Sequence, residues 1–391
     1  MRRTWLRSWA GHLLVTAVAV AVVVAAPLAA PNPAATDGVT IAGARSLSDH
    51  VTVSYSQLDG RRTTDVHLLA FNDLHGNLEA GGNNLYGRFA GGAAYLAKAI
   101  RDRQAKYCKG QATIFAGDNI GASPLANGLF FEEPITIATN LMNVDFGSVG
   151  NHEFDKGSAE LLRIQNGGCR PVEGCTAAPY ALANGGTTNV FPGADFQYLS
   201  ANVVVDATGK TLFPAYGVKQ FKAGNSGLFG VGFIGEVLRS TPTIVTPTGV
   251  AGLTFQDEAD AANRAVAELR ANGVKTNVLV IHEGGQQTTP ATINGCTGNL
   301  AGSPILDIAS HLDPSIKVIV SAHTHAEYRC TYTSKGVTRL ITSASSFGRV
   351  LSDITLTIDN KNDKLVSCSW RSGSACCSHS PRRACRSCCR W

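Results

Sequence analysis

From residue 66 onward the chain alternates two apolar patterns. Short runs of β-favouring residues predict strands at 66–71, 112–116, 146–149, 199–205, 228–234, 277–281, 316–321 and 353–358. Between them, "GGAAYLAKAIRDRQAKY" and "DEADAANRAVAELRANG" space their apolar residues as amphipathic helices do, and Ala262, Val266 and Leu269 make the stripe of the second. Strands interleaved with helices predict an α/β fold. No internal repeat is visible. Residues 36–64, rich in Ala, Thr, Ser and Gly without sustained periodicity, predict a linker or loose leader ahead of the fold.

Both ends of the chain differ from its body. Arg2, Arg3 and Arg7 precede an apolar run from Leu13 to Ala26 and then small residues and prolines, the pattern of an export signal over residues 1–35, cut between Ala30 and Ala35. Pro27 interrupts the run before a comfortable spanning length, so no transmembrane segment is expected after signal removal. "RRTWLR" also has a twin-arginine look. Residues 365–391 are dominated by Ser, Arg and Cys, with almost no aliphatic residue after Val366. They are expected to be a non-native or disordered tail, as out-of-frame translation would produce in place of a normal continuation. A zinc knuckle is disfavoured there, because adjacent cysteine pairs lack regular ligand spacing.

The formal charge of +5 is carried by these ends. Three Arg in residues 1–35 and five Arg in residues 365–391, with no acid in either, leave the body at −3. No basic nucleic-acid surface is implied, and no stable nucleic-acid partner is expected. Five cysteines lie in the body, and in an exported protein they point to disulfides. Cys169 is expected to pair with Cys175 and Cys296 with Cys330, leaving Cys108 odd.

Five polar clusters each follow an apolar strand-like run: "LLAFNDLHGN", "ATIFAGDNIG", "VGNHEFDKG", "NVLVIHEGG" and "VIVSAHTHAE". In open α/β sheets, loops at the carboxyl ends of strands converge on one crevice. Asp73 with His75, and His323 with His325, are spaced i,i+2, so in extended backbone each pair points one way. Singly, Asp118 reads as a helix cap, His282 as a hydrogen-bonded histidine and "GNHEFD" as a polar turn. Five strand-end clusters of oxygen and imidazole ligands in one chain are not explained as caps.

On these motifs, "DLHG", "GDNIG", "GNHEFD", the isolated His282 and "AHTH", the chain resembles the calcineurin-like metallophosphoesterases over about residues 65–360. It is most similar to the exported bacterial branch of 5′-nucleotidases, UDP-sugar hydrolases and cyclic-nucleotide phosphodiesterases. Ala322 departs from the family's usual Gly. The resemblance implies a catalytic domain over residues 65–364, built as a two-sheet β-sandwich flanked by helices in αββα layers. It also implies two divalent ions, one on Asp73, His75, Asp118 and His325, the other on Asp118, Asn151, His282 and His323, with Asp118 bridging. Mixed imidazole and oxygen ligands suit Mn, Zn, Fe or Co. By the same resemblance, a hydroxide shared by the ions attacks phosphorus in line, Asn151 and His152 contact substrate, and His152 stabilises the transition state or protonates the leaving group. Asp155 orients His152, while Glu153 and Phe154 are structural. Two divalent ions, two carboxylates and one hydroxide sum to a net charge of about +1, which favours an anionic substrate. The expected partner is a small nucleotide or another phosphate ester, and the expected reaction is 5′-nucleotidase hydrolysis. Cyclic-nucleotide phosphodiester or nucleic-acid cleavage, UDP-sugar hydrolysis, and a non-catalytic metal-binding fragment are the alternatives.

Overall fold

Alternation along the strands decides the layering. In Thr63–Phe71, Val66, Leu68 and Ala70 face one way and pack among Ile114, Val280 and Ile354, while Leu69 and Phe71 face the other way and meet Leu96 and Ile100 of the helix Ala93–Tyr107. In Thr276–His282, Val278 and Val280 join the first of these clusters, and Leu279 and Ile281 pack against Ala262, Val266 and Leu269 of the helix Glu258–Ala271. Strands buried on both faces read as continuous apolar runs, which is why they were visible in the sequence.

The computed structural model describes residues 51–54, 62–80, 84–85, 88–175, 190–223, 227–287 and 300–374. The export signal, most of the leader, Cys296 and the chain beyond 374 lie outside these residues. One sheet orders its seven strands Val51–Ser54, Leu365–Ser374, Val350–Asp359, Thr63–Phe71, Gln111–Ala116, Phe146–Ser148, Gln197–Leu199. The last four are mutually parallel. A six-stranded sheet runs Tyr216–Lys222, Leu228–Val237, Thr276–His282, Ile316–Val320, Val337–Ala344, Glu327–Ser334, with its four central strands parallel. Two facing sheets with helices on their outer faces are the layers the resemblance implied. Among the described residues, no helix is long and apolar enough to cross a membrane.

Three expectations change. The strand read at 199–205 is two: Gln197–Leu199 ends the large sheet, and Val203–Val205 pairs with Leu253–Phe255 in a small separate one. Between them the Asn202 amide donates to the Val237 carbonyl and Ala201 N–H donates to Gly235 O, which turns the backbone out of the sheet. Val51–Ser54, inside the expected leader, is a strand. The tail expected from 365 begins instead as a strand: Leu365–Ser374 pairs antiparallel with Val350–Asp359 in the large sheet. The physical reason is burial, since Cys368 and Trp370 are 0% and 1% exposed and pack into the inter-sheet core. The Arg329 guanidinium also covers the Trp370 ring at 4.1 Å.

Cys169 and Cys175 are bridged as expected, and Cys108 carries no disulfide. Cys330 is disulfide-bonded, with its partner outside the described residues.

Trp370→Ala is expected to lower the unfolding free energy by about 3–5 kcal/mol, as large core truncations do. Urea unfolding measures this, and a loss below about 0.5 kcal/mol would mean that the strand is an appendage.

Candidate metal centre

Seven side chains singled out in the sequence converge where strands of both sheets end. Asp73 and His75 follow Thr63–Phe71, Asp118 follows Gln111–Ala116 and Asn151 follows Phe146–Ser148. From the other sheet, His282 ends its strand, and His323 and His325 follow Ile316–Val320. The pairs Asp73/His75 and His323/His325 do converge, but not through extended backbone. All four residues, and Asp118, are left-handed, with φ between 48 and 71°. Non-glycine residues pay of order 1–3 kcal/mol each for such conformations, which persist where surroundings enforce them. The chain bends sharply at each strand end and aims successive ligands inward.

Asp73, His75 and His325 form one group whose ligand atoms lie within 4.8 Å of one another, and Asp118, His282 and His323 form another. His75 Nε2 is 3.7 Å from Asp73 Oδ1, 3.6 Å from Asp118 Oδ2 and 3.0 Å from His325 Nε2. His325 Nε2 is 3.3 Å from Asp73 Oδ1. In the second group, His282 Nε2 is 3.0 Å from Asp118 Oδ2 and 3.1 Å from Asn151 Oδ1. His75 Nδ1 is held by Gly121 O at 3.0 Å, and His282 Nδ1 by Ala116 O at 2.8 Å. Carbonyls at Nδ1 leave Nε2 directed at the carboxylates, the arrangement by which proteins orient metal-ligating imidazoles. Asp73 Oδ1 is fully buried and accepts no hydrogen bond among the described residues, although two imidazole nitrogens flank it. A buried carboxylate oxygen left this way, among nitrogens facing each other, fits a divalent cation.

The electrostatics agree. Burial works to raise the Asp73 pKa, but His325 and His75 outweigh it and hold the carboxyl far below its ordinary range. Burial likewise opposes the ionised form of Asp118, and His282 reverses the balance, so its pKa is lowered. Burial disfavours a charged His282, yet Asp118 and Asp73 lift it to about 10. The field that favours a proton at its Nε2 favours a cation there. His323, desolvated and repelled by His282, is pushed down to about 4. The His323 backbone N–H donates to Asp73 Oδ2 at 3.2 Å.

His152 stands beside both groups and, with His75 and Asp118, forms a third group whose ligand atoms also lie within 4.8 Å of one another. Its N–H donates to Asp118 Oδ1 at 3.0 Å, and its Nδ1 is 2.8 Å from Asp155 Oδ2 across the 3₁₀ turn His152–Phe154. Bonding to Asp155 outweighs partial desolvation and raises the imidazole pKa above its ordinary value. Phe154 is buried in the core. The Glu153 carboxylate accepts N–H groups from Asp118 and Asn119 at 2.9 Å, from Ile120 at 3.4 Å and from Gly150 at 2.5 Å. It ties two strand-end loops together, while burial and the nearby Asp118 push its pKa up to about 7. Glycines let these loops close: a Cβ on Gly117 would lie 2.5 Å from His282 Nδ1, and one on Gly150 would lie 2.2 Å from Asp118 Oδ1.

Two contributors were missed in the sequence. Asn72 donates to Asp73 Oδ2 at 2.6 Å and to Ser345 O at 2.7 Å, fixing the carboxylate against the neighbouring loop. Phe347 sets its ring edgewise against His75 and His325, with centroids 5.8 and 5.3 Å apart. Its loop follows Val337–Ala344, a strand absent from the sequence reading; "SSFG" after a strand end was the available signal.

A family model for the calcineurin-like phosphoesterases matches residues 66–327. Endonuclease YhcR of Bacillus subtilis is 32% identical over 77% of this chain and 22% of its own length. The 5′-nucleotidase of Vibrio cholerae is 25% identical over 71% of this chain and 43% of its own length. The chain therefore spans less than half of either relative. A solved 5′-nucleotidase precursor from Thermus thermophilus superposes with a TM-score of 0.59 at 23% identity, covering 80% of this chain and 56% of that one.

Glu153→Gln keeps the shape but places an amide against backbone N–H donors. It is expected to weaken divalent-metal affinity about 10–100-fold, as outer supports of metal ligands do. Competition with a chromogenic chelator measures this, and unchanged affinity would confine Glu153 to a role in folding.

Proposed function

The chain belongs to the calcineurin-like phosphoesterase family, and we propose that it hydrolyses phosphate monoesters, with nucleoside monophosphates as the substrate class and two divalent cations as cofactors. The observation that carries this reading is the meeting of two ligand groups around the buried Asp73 and Asp118, with the His152–Asp155 pair alongside. Asp73, His75, Asp118 and His325 would hold one ion, and Asp118, Asn151, His282 and His323 the other. Bound there, divalent ions supply positive charge for phosphate oxygens and lower the pKa of a coordinated water from about 15.7 towards neutrality.

The chain's own residues do the rest. Asn151 and His152 border the pocket with Asp118, His323 and His325, and so meet the phosphoryl group. His152 stabilises charge on that group and delivers a proton to the departing alkoxide. Asp155 holds its Nδ1, which fixes the ring and keeps it protonated to higher pH. A phosphodiesterase reading rests on the names of the Bacillus endonuclease and of a Salmonella typhimurium 2′,3′-cyclic-nucleotide 2′-phosphodiesterase/3′-nucleotidase, of which the chain spans 22% and 32%. The disulfide Cys169–Cys175 supports an oxidising, exported setting.

Metal analysis coupled to phosphate release from a panel of mononucleotides, cyclic nucleotides and DNA tests this reading. His282→Ala is expected to lose metal. His152→Ala is expected to keep metal and lose about 10²–10⁴ in kcat. Two variants matching the parent would remove the site assignment, and faster cleavage of diesters than of monoesters would remove the substrate class. A raised pKa on a required acid means that activity falls as pH rises through it. Asp155→Asn removes the cause of the rise, so the alkaline limb of the kcat profile should move to lower pH.

A further inference from the structure

The imidazoles of the centre are not held alike. His75 and His282 each have Nδ1 against a backbone carbonyl, which fixes the ring and leaves Nε2 aimed. The His323 ring packs on the fully buried His282, with centroids 5.2 Å apart. His325 is the outlying ligand, its side chain 39% exposed, and its Nδ1 makes no hydrogen bond among the described residues. Its Nε2 faces His75 Nε2 at 3.0 Å and Asp73 Oδ1 at 3.3 Å. Two rings bound it instead: His75 at 5.0 Å and 60°, and Phe347 at 5.3 Å and 79°. Both lie in the edge-to-face range of aromatic pairs.

Phe347 is itself tightly fixed. Its N–H donates to Asp73 O at 2.7 Å, and its carbonyl accepts from Gly92 N–H at 2.8 Å, just ahead of the helix Ala93–Tyr107. Ser345 and Phe347 have φ of 60 and 59°, left-handed bends that non-glycine residues keep where surroundings enforce them. The Arg349 guanidinium lies over the ring, 5.0 Å from its centroid. It is anchored in turn, since Nε donates to Ser346 O at 2.9 Å and Nη2 to Ser346 Oγ. The loop thus delivers a braced aromatic ring to the wall of the pocket that His75, His323 and His325 also line.

A ring that only filled this wall would be replaceable by another apolar side chain of similar size. A ring that orients His325 would not, because an aliphatic side chain offers no edge-to-face contact. Phe347 also touches His75, but that imidazole has its own carbonyl at Gly121. The ligand that depends on Phe347 is therefore His325.

We propose that Phe347, braced by Arg349, is a positioning residue for the Asp73, His75 and His325 half of the centre, setting the His325 ring by aromatic contact and with it the affinity of the ion held there. The proposal rests on the two-ion reading above. Zinc titration of the metal-free protein against a chromogenic chelator tests it. Phe347→Ala and Phe347→Leu are expected to weaken one of two ions about 10–100-fold, as loss of an outer support does, and to leave the other unchanged. Phe347→Tyr keeps the ring and is expected to restore the parent affinity. Arg349→Ala should weaken the same ion about two- to fivefold, the worth of an exposed cation–π contact. In a His325→Ala background, Phe347→Ala should cost nothing further, because both act through one ring. Equal weakening of both ions, leucine serving as well as tyrosine, or additive losses in the His325→Ala background overturn the proposal. Should Phe347→Ala fail to fold, the leucine and Arg349 variants carry the same comparison. A parent that binds a single ion contradicts the two-ion reading instead; the coupling of Phe347 to His325 is then read on that ion, and additive losses overturn the proposal as before. A parent that binds none removes the metal reading and the proposal with it.

Discussion

Two carboxylates, Asp73 and Asp118, are buried in one crevice, and most of the local architecture answers that fact. Unit charges about 4 Å apart interact by roughly 4 kcal/mol at an effective dielectric of 20, so such a pair is tolerable only beside opposite charge. His282 and His75 reach Asp118, His325 and His75 reach Asp73, and their other ring nitrogens are occupied where carbonyls are near. The backbone accepts left-handed bends at five ligand positions to bring this about. A centre of this kind is costly to leave without opposite charge, and that cost is what suits it to cations.

The two-sheet design makes the convergence possible. Each sheet sends parallel strands towards the same edge, so that ligands about 250 residues apart in sequence, such as Asp73 and His325, come within 3.3 Å. The inter-sheet core around Ile114, Val280, Ile354 and Trp370 holds the two halves of the site in register. Glu153 and Asn72 perform the same service locally, each spanning two strand-end loops.

What was legible in the sequence followed burial. Strands covered on both faces, such as Thr276–His282, show as unbroken apolar runs, and their polar ends marked the residues that cluster. Edge strands did not show: Tyr216–Lys222 and Glu327–Ser334 mix Lys, Gln, Arg and Thr with their apolar residues because one side is less covered. The hairpin joining Glu327–Ser334 to Val337–Ala344 turns on Lys335 and Gly336, both with positive φ, rather than on the more familiar Asn-Gly. Missing that hairpin concealed Phe347. Leu365–Ser374 was misjudged because serine alternating with Cys368 and Trp370 has the composition of a loop but the spacing of a strand. The i,i+2 spacing of the two pairs pointed to residues that do converge, but for the wrong reason, since period-two reasoning has no access to left-handed backbone.

The four residues Val51–Ser54 lie along the outer side of Leu365–Ser374, opposite Ser367 to Trp370. A bare sheet margin offers unsatisfied amides and carbonyls that another polypeptide can adopt as a template. This short strip gives four positions of that margin main-chain partners from the same molecule and is itself the outermost strand of the sheet among the described residues. Losing it would return Ser367 to Trp370 to the open margin, as a template for another copy of the chain.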